Sequence, residues 1–235
     1  MPDVWQPPVP PEQVIHTGAG WYRLAGFVRA ALALNVLVYA VDMIGSWWAA
    51  GKLGDWLDDP RTVSLSDAQR IDTLNQATAS AEVLLLLVTG VLFTCWIYQA
   101  YNRPLAERSA LALGRGWAIG GWLIPFANFV LPYRVVQGVH RATARPARPD
   151  SRLIICWWAA WVVLSLGSSW SRVAGPDTAT VEGRELIRAL RTVDLTSSIL
   201  AVPAVVAGVL SAVVVTQLTA RVRDVAEAPP PVISN

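Results

Sequence analysis

Four long apolar stretches dominate the pattern of hydrophobic and polar positions along the chain. They cover roughly residues 30–49, 83–101, 153–171 and 197–219, and each contains few or no charged side chains. At about 1.5 Å of rise per residue, a helix of ~20 residues spans the ~30 Å hydrocarbon layer of a bilayer. The pattern therefore predicts four transmembrane helices.

A fifth apolar segment, residues 117–133, is shorter and interrupted. Its uninterrupted apolar run is only about 15 residues, a length typical of re-entrant or interfacial segments. It contains Gly120, Gly121, Pro125, Asn128 and Pro132, and proline removes a backbone donor from a helix. We therefore predict an all-α polytopic membrane helical bundle: four transmembrane helices plus a central Pro/Gly-broken re-entrant or interfacial helical hairpin.

The distribution of basic residues favours this topology over five crossings. If the broken segment does not cross, one face of the membrane carries 12 of the 19 basic residues and the opposite face collects 10 of the 17 acidic ones. If it crosses, the basic residues divide nine to ten. Because cytoplasmic loops carry an excess of Lys and Arg, we predict four crossings, with both termini cytoplasmic.

The sequence predicts one membrane domain with two short tails. Residues 1–20 are proline-rich and are expected to form a disordered cytoplasmic tail; residues 21–223 form the transmembrane domain, and residues 224–235 a second disordered tail. A capping box at Ser66 and Gln69 predicts a helix that starts well before residue 83 and ends near Asn102. Helical spacing over residues 182–194 predicts that the last helix also begins before its apolar span.

Composition agrees with a lipid environment and excludes several functional classes. Hydrophobic residues make up 54% of the chain and charged residues 15%, against about 25% charged in soluble domains. A net charge of +2 gives no reason to expect nucleic acid as a partner. Cys95 and Cys156 are expected to be small buried hydrophobic residues. Trp157, Trp158 and Trp161 are expected to form an interfacial belt.

No motif of a known catalytic, phosphate-binding or metal-binding type occurs in the sequence. We therefore expect no catalytic residues, no cofactor, no metal and no enzymatic activity.

Asp42 is the first candidate among the polar residues of the spans. A charged group at the centre of a membrane helix costs at least ~2.5–3.5 kcal/mol on insertion scales, so its carboxyl must be protonated, hydrated or paired. Asn35 shares its helix face, Ser165 lies at a similar depth, and Ser197 and Ser198 approach it. Two interpretations stay open: a proton or cation site, and a carboxylic acid hydrogen-bonded to neighbouring hydroxyl groups.

The broken segment is the second candidate. Pro125 and Pro132 free backbone carbonyls, which survive at membrane depth only where protein or water satisfies them. Asn128 lies between them and either binds a ligand, as in the broken helices of transporters, or acts as a structural wedge. In the second case, Asn102 and Gln99 are its expected hydrogen-bond partners.

A basic run follows the broken segment and is the third candidate. Each arginine near an anionic leaflet contributes about 1 kcal/mol, so the run is expected to contact lipid headgroups and to fix the orientation of the protein. Its members are Arg134, Arg141, Arg145, Arg148 and Arg152. His140 within it is expected to be an interfacial histidine.

Three segments of this chain, residues 93–103, 116–122 and 124–134, carry a recognisable signature. It combines a Gly-Trp-Ala-x-Gly segment with a Pro-x-Ala-Asn-x-x-x-Pro-Tyr run, and it resembles a bacterial, actinomycete-type family of multi-pass membrane proteins classed as a domain of unknown function. The matching positions are Trp96, Asn102, Trp117, Gly120, Pro125, Asn128, Pro132 and Tyr133. The resemblance covers roughly residues 25–222. It implies a membrane location and no established activity. We expect this membrane to be the bacterial inner membrane.

Two functions remain for a multi-pass membrane protein of this kind. The first is a non-enzymatic scaffold or interaction module, with the lipid bilayer, protein partners or a second copy as its partners. The second is a small transporter, channel or lipid-handling protein that uses Asp42 and the segment Pro125-Asn128-Pro132. Ala204, Gly208 and Ala212, with Gly90, predict close helix packing and favour the scaffold. A cavity that reaches Asp42 or Asn128 would favour the transporter.

Overall fold

The computed structural model describes residues 19–124 and 126–228, which form helices and connecting turns. The helices are α1 (Ala19–Asp58), α2 (Leu65–Tyr101), α3 (Trp117–Leu123), α4 (Leu131–Arg141), α5 (Arg152–Ala174) and α6 (Gly183–Glu227). Four of them, α1, α2, α5 and α6, are long and apolar enough to cross a membrane. The predicted all-α fold class is confirmed.

The helices begin and end beyond the apolar spans. The first 18 residues of the predicted N-terminal tail lie outside the described residues, whereas α1 already starts at Ala19. At the other end, α6 continues to Glu227, past the predicted domain end at 223; residues 229–235 of the second predicted tail are outside the described part of the chain. The early start of α6 at Gly183 is as predicted.

The start of α2 corrects one detail of the sequence analysis. Ser64, and not Ser66, caps this helix: its Oγ accepts from the backbone N–H of Asp67 at 3.3 Å. The Ser66 hydroxyl instead lies 2.8 Å from the hydroxyl of Ser64. The predicted end of the helix is confirmed, because α2 stops at Tyr101 with Asn102 as its C-cap.

Two buried clusters define the two ends of the bundle. The larger one brings together Trp21 of α1, Trp96 of α2, Trp157 of α5 and Val215 of α6 around α4, and we call this end the α4 end. The smaller cluster contains Leu53 and Trp56 of α1 and Ile71 of α2, and we call this end the far end. The first described residues of α1 and the last of α6 therefore lie at the same end of the bundle.

The broken segment does not cross the bundle. Because α2 ends and α5 begins at the α4 end, the chain between them leaves and returns to the same end. Helix α3 enters, residues 124 and 126–130 lie at the tip, and α4 returns while packing against α3. This arrangement agrees with the predicted helical hairpin, re-entrant or interfacial, which enters and leaves at one end of the bundle.

The tip of the hairpin lies deep along α5. Trp158 donates its indole N–H to the backbone oxygen of Phe129 at 3.1 Å, and the Phe129 ring packs on Trp161 with centroids 6.0 Å apart. Trp161 lies nine residues after Arg152, the first residue of α5, which is about 14 Å along a helix. Phe126 forms the turn with φ 63°, and its side chain is 87% exposed.

Tryptophans that the sequence analysis assigned to an interfacial belt pack inside the bundle instead. Trp157 and Trp158 are buried, and Trp158 stacks on Trp161 at 4.8 Å between centroids. Trp122 of α3 contacts Phe93 of α2 at 5.8 Å and Trp158 at 6.4 Å. The interfacial prediction failed because α3 re-enters beside these rings and covers them with protein.

Two further expectations meet mixed outcomes. Cys95 and Cys156 are exposed on the outside of the bundle rather than buried; both lie on helix faces that no other helix covers. Gly208 fits the prediction of close helix contact, because a Cβ added there would lie 2.6 Å from Cγ2 of Val36 on α1. Gly90, by contrast, has no atom within 4 Å of such a Cβ and faces open space.

Candidate functional site

A cavity of about 520 Å³ lies between the long helices and the tip of the hairpin. It extends from Arg172, in the last turn of α5, to Asn128 at the tip. Since the last turn of α5 is at the far end, this outer cavity begins there and ends at the depth of Trp161. Its polar lining consists of Tyr39, Asp42, Glu82, Asn128, Ser165, Ser168, Ser169, Ser171, Arg172 and Ser197.

Asp42 of α1 lines the outer cavity, half-buried, and is held by α2. The hydroxyl of Thr78 donates to Oδ1 of Asp42 at 3.0 Å. Within the described part of the chain, no Lys or Arg forms an ion pair with this carboxyl. Ser165 and Ser197 line the same cavity as Asp42, whereas Ser198 donates to the backbone oxygen of Asp194 at 2.9 Å.

Glu82 of α2 is a second carboxyl on the outer cavity that the sequence analysis missed. It lies one residue before the predicted span 83–101, so it was not counted among the polar residues of the spans. The signal was present in the sequence, because Asn75, Thr78 and Glu82 are spaced by three and four residues and so share a helix face. All three face the bundle: Asn75 donates to Asp194 at 3.1 Å, and Thr78 to Asp42.

Asn128 is placed by the tip of the hairpin, far from its expected partners. Asn102 lies at the α4 end, where its amide donates to the backbone oxygen of Tyr98 at 3.0 Å. The predicted pairing of Asn128 with Asn102 and Gln99 is therefore wrong, because the hairpin carries Asn128 towards the middle of the bundle. Oδ1 of Asn128 is buried and has no hydrogen-bond partner among the described residues.

Of the two prolines in the broken segment, only Pro132 lies within the described residues. Pro125 falls outside the described residues. Pro132 is buried in the first turn of α4. Backbone N–H groups in the first turn of a helix have no intrahelical acceptor, so a proline there removes no hydrogen bond. Pro132 therefore starts a helix here rather than interrupting one.

An inner chamber of about 240 Å³ adjoins the outer cavity on the side of the α4 end. Tyr39, Leu86, Trp161 and Leu164 line both spaces. The remaining walls are mainly apolar and aromatic, and they consist of Leu32, Asn35, Thr89, Gly90, Phe93, Trp122, Trp157, Ala204, Ala207, Gly208 and Ser211.

Several polar groups of the inner chamber are hydrogen-bonded to one another, whereas the indole N–H of Trp122 is buried with no hydrogen-bond partner among the described residues. Asn35 donates from its amide to Oγ1 of Thr89 at 2.7 Å and to the backbone oxygen of Ala31 at 2.9 Å. Trp157 donates to the hydroxyl of Ser211 at 2.7 Å. Asn35 thus lies on the same face of α1 as Asp42 but belongs to the inner chamber. With these bonds made, the chamber offers a ligand mostly apolar surface.

Both spaces adjoin a gap between α2 and α5. The backbones of these two helices do not pack closely, although the rings of Phe93 on α2 and Trp157 on α5 stack at 5.8 Å between centroids. By contrast, α1 packs extensively on α6 and α2, and α5 packs on α6. In the half of the bundle near the α4 end, Trp122 of α3 fills the gap by contacting Phe93 and Trp161. Leu86, which lines both spaces, is 58% exposed, and Gly90, one turn nearer the α4 end, faces open space.

The basic run lies at the α4 end, and part of it is internally paired. Arg141 pairs with Asp150, and Arg145 pairs with Glu107 at 3.2 Å. The other three arginines, Arg134, Arg148 and Arg152, are exposed. The arrangement therefore leaves these three guanidinium groups at the surface of one end of the bundle.

His140 of α4 is buried rather than interfacial. The guanidinium of Arg221 on α6 lies within hydrogen-bond distance of its Nδ1. Burial, together with the positive charges of Arg221 and Arg148, lowers the pKa of His140 to about 4. The ring is therefore neutral near pH 7 and accepts from Arg221.

The comparison with protein families gives one finding that covers most of this chain. The model described as "Domain of unknown function (DUF4328)" matches residues 59–220, which include α2 to α5 and most of α6. No curated protein and no solved structure matches the chain.

Proposed function

The chain belongs to the DUF4328 family of domains of unknown function, and from that premise we propose that it is a small transporter or lipid-handling membrane protein. Its ligand binds in the outer cavity. One observation carries this proposal: a single cavity is lined by both Asp42 and Asn128, the two polar side chains that the sequence singled out at membrane depth. A ligand-binding role requires such a space.

The cost of polar groups in a membrane supports a ligand-binding role for the cavity. Ionisable residues inside spans are expensive, and they face cavities where ions or substrates pass. Asp42 and Glu82 both face this cavity. Irregular backbone at membrane depth is tolerated where it lines a cavity, and the hairpin tip does so through Asn128 and Phe129. Broken helices in this position bind substrates in many transporters.

For orientation, we place the α4 end in the cytoplasm of a bacterial cell, with both termini there. The exposed Arg134, Arg148 and Arg152 support this assignment, because cytoplasmic loops are rich in basic residues. These arginines then contact anionic headgroups of the inner leaflet. The outer cavity opens on the opposite, periplasmic side of the inner membrane.

The scaffold role, which the sequence favoured, becomes the second proposal. Its support is the close packing of α1 on α6 at Gly208 and the basic surface at the α4 end, which would recruit protein partners or a second copy. A tight bundle without a central space was part of that argument, and the outer cavity weakens it. Neither the transporter proposal nor the scaffold proposal assigns an enzymatic activity to the protein.

Thiol labelling tests the transporter proposal directly. In a Cys95→Ala, Cys156→Ala background, single cysteines are introduced as Ser165→Cys in the outer cavity and as Leu166→Cys beside it. Leu166 is 56% exposed and belongs to no wall of the outer cavity or the inner chamber, so it serves as the matched control on the outside of α5. Vesicles of known orientation are treated with a membrane-impermeant methanethiosulfonate.

We expect the cysteine at position 165 to react from the periplasmic side and the one at position 166 to react little, because lipid covers it. Asn128→Cys should behave like the cysteine at 165. If neither 165 nor 128 reacts from either side, aqueous solutes do not enter the cavity and the transporter proposal fails. Reaction from the cytoplasmic side alone would overturn the assigned orientation.

A further inference from the structure

We propose that the ligand is an amphiphile with a cationic head and a single apolar tail. The head lies in the outer cavity beside Asp42 and Glu82, and the tail lies in the inner chamber. This inference rests on the proposed function, and it deepens it by naming the chemical class of the ligand.

The contiguity of the two spaces is the first step. Tyr39, Leu86, Trp161 and Leu164 form part of the wall of both. A ligand that fills the outer cavity towards its floor therefore meets the inner chamber next, with no separate helix layer between them. A ligand with two chemically different ends can occupy both spaces at once.

The charge of the outer cavity selects the head. Two carboxyl groups, those of Asp42 and Glu82, face this space against one guanidinium, that of Arg172 at its mouth. Within the described residues, neither carboxyl is ion-paired. The Trp161 ring on the shared wall adds an aromatic surface of the type that attracts ammonium groups. These features together favour a cation.

The inner chamber selects the tail. The amide of Asn35 is hydrogen-bonded to Thr89 and the indole N–H of Trp157 to Ser211, so most of the chamber wall is apolar or already paired. The one buried polar atom of the chamber wall without a hydrogen-bond partner among the described residues is the indole N–H of Trp122. Because it is a donor, it cannot pair with a cation, so a cationic head placed there would lose its water without a replacement, which costs free energy. An alkyl tail gains by leaving water in proportion to its buried area, and the ring of Phe93 provides one wall for it.

The gap between α2 and α5 gives such a ligand a route. Amphiphiles partition into a bilayer and reach a membrane protein from the side. The backbones of the two helices do not pack closely, and Gly90 on α2 leaves open space next to the inner chamber. The tail therefore enters sideways from the lipid while the head stays in the outer cavity.

Equilibrium binding of three probes to the protein in lipid nanodiscs tests the inference, with empty nanodiscs as the partition background. Hexyltrimethylammonium carries the head and the tail, tetramethylammonium the head alone, and 1-hexanol the tail alone. We expect hexyltrimethylammonium to bind with a Kd at least tenfold lower than either of the others. Asp42→Asn combined with Glu82→Gln should weaken both cations at least tenfold.

A matched pair of variants separates the tail from the head. Gly90→Leu places a side chain in the inner chamber and should erase the advantage of the hexyl probe without changing tetramethylammonium binding. Gly26→Leu is the control, because a Cβ there also meets no atom within 4 Å and Gly26 lines neither space. It should change neither affinity.

The outcomes distinguish this inference from the function on which it rests. Equal affinity for the two cations, lowered by the double carboxyl variant, would leave the proposed function standing and overturn the amphiphile. Binding of 1-hexanol as tight as that of the hexyl cation would overturn the cationic head. Absence of binding by all three probes would overturn the inference; the transporter proposal would then fail with it only if positions 165 and 128 also resist thiol labelling.

Discussion

The hydroxyl of Thr78 on α2 lies 3.0 Å from Oδ1 of Asp42 on α1 and donates to it. This hydrogen bond joins two long helices at the wall of the outer cavity. It also fixes the rotamer of the carboxyl that faces the ligand. Thr78 has alternatives on its own helix, since the backbone oxygen of Leu74 is 3.1 Å away, so the bond to Asp42 competes with a local one.

We predict that Thr78→Val lowers the free energy of unfolding by about 0.6 kcal/mol, the mean for hydrogen bonds between membrane helices. The loss arises because Asp42 would keep its half-buried position without its donor. Unfolding by SDS in mixed micelles measures the change. Thr78→Ser keeps the hydroxyl and is the control; an equal loss in the serine variant would mean that the methyl group, and not the hydrogen bond, matters.

The fold follows closely from the hydrophobic pattern, for a physical reason. A helix that crosses lipid must satisfy every backbone group internally and needs ~20 apolar residues, so residues 30–49 and 197–219 are legible without knowledge of their neighbours. The re-entrant hairpin follows from its length and from the distribution of arginines. The length of an apolar segment is a local property of the sequence, and the distribution of arginines is a sum over the loops. Neither requires knowledge of contacts between helices.

The candidate site was only partly legible, because its geometry depends on contacts between helices. Asp42 stands out as an acid within a span, whereas Glu82 lies at a span edge and gains its place only from the packing of α2 on α1. Asn128 was recognised, but the depth of the hairpin determines its neighbours, and no local pattern encodes that depth. Trp158 was misassigned for the same reason, since the hairpin covers it.

The contact of α1 with α6 gives a second prediction. A Cβ at position 208 would approach Cγ2 of Val36 to 2.6 Å, so Gly208→Ala must displace Val36 or separate the helices. Overpacking of this kind costs typically ~1–3 kcal/mol. Unfolding in mixed micelles should show that loss for Gly208→Ala and none for Gly90→Ala, which has open space. Adding Val36→Ala to Gly208→Ala should restore stability; a failure to do so would place the strain elsewhere.

A third prediction concerns acid. Because the pKa of His140 is lowered to about 4 in the folded protein, against about 6.5 in the unfolded chain, the unfolded state binds more protons between these values. Stability from this residue is therefore complete above pH 6.5 and is lost as the pH falls towards 4, by up to about 3 kcal/mol. The thermal midpoint in detergent should fall over this range.

The control for the acid effect is His140→Gln, which keeps a side chain that can accept from Arg221 but does not titrate near neutral pH. It should be less stable than the natural protein at pH 7.5, and its midpoint should fall less between pH 6.5 and 4. If the two proteins lose stability in parallel over this range, another group is responsible for the acid sensitivity.

Arg172 at the mouth of the outer cavity provides the last prediction. Its positive charge opposes a cation bound beside Asp42 and Glu82, so Arg172→Gln should strengthen the binding of tetramethylammonium. For a charge ~10 Å away in a water-like medium, Coulomb's law gives about 0.4 kcal/mol, or a twofold lower Kd. Equilibrium binding in nanodiscs at 0.01 M and 1 M salt measures the change.

The gain should be present at low salt and vanish at high salt, because screening shortens the range of the charge to ~3 Å. A gain that persists at 1 M salt would show that the substitution reshapes the mouth instead of removing a charge, and a weaker binding at low salt would mean that Arg172 contacts the ligand favourably.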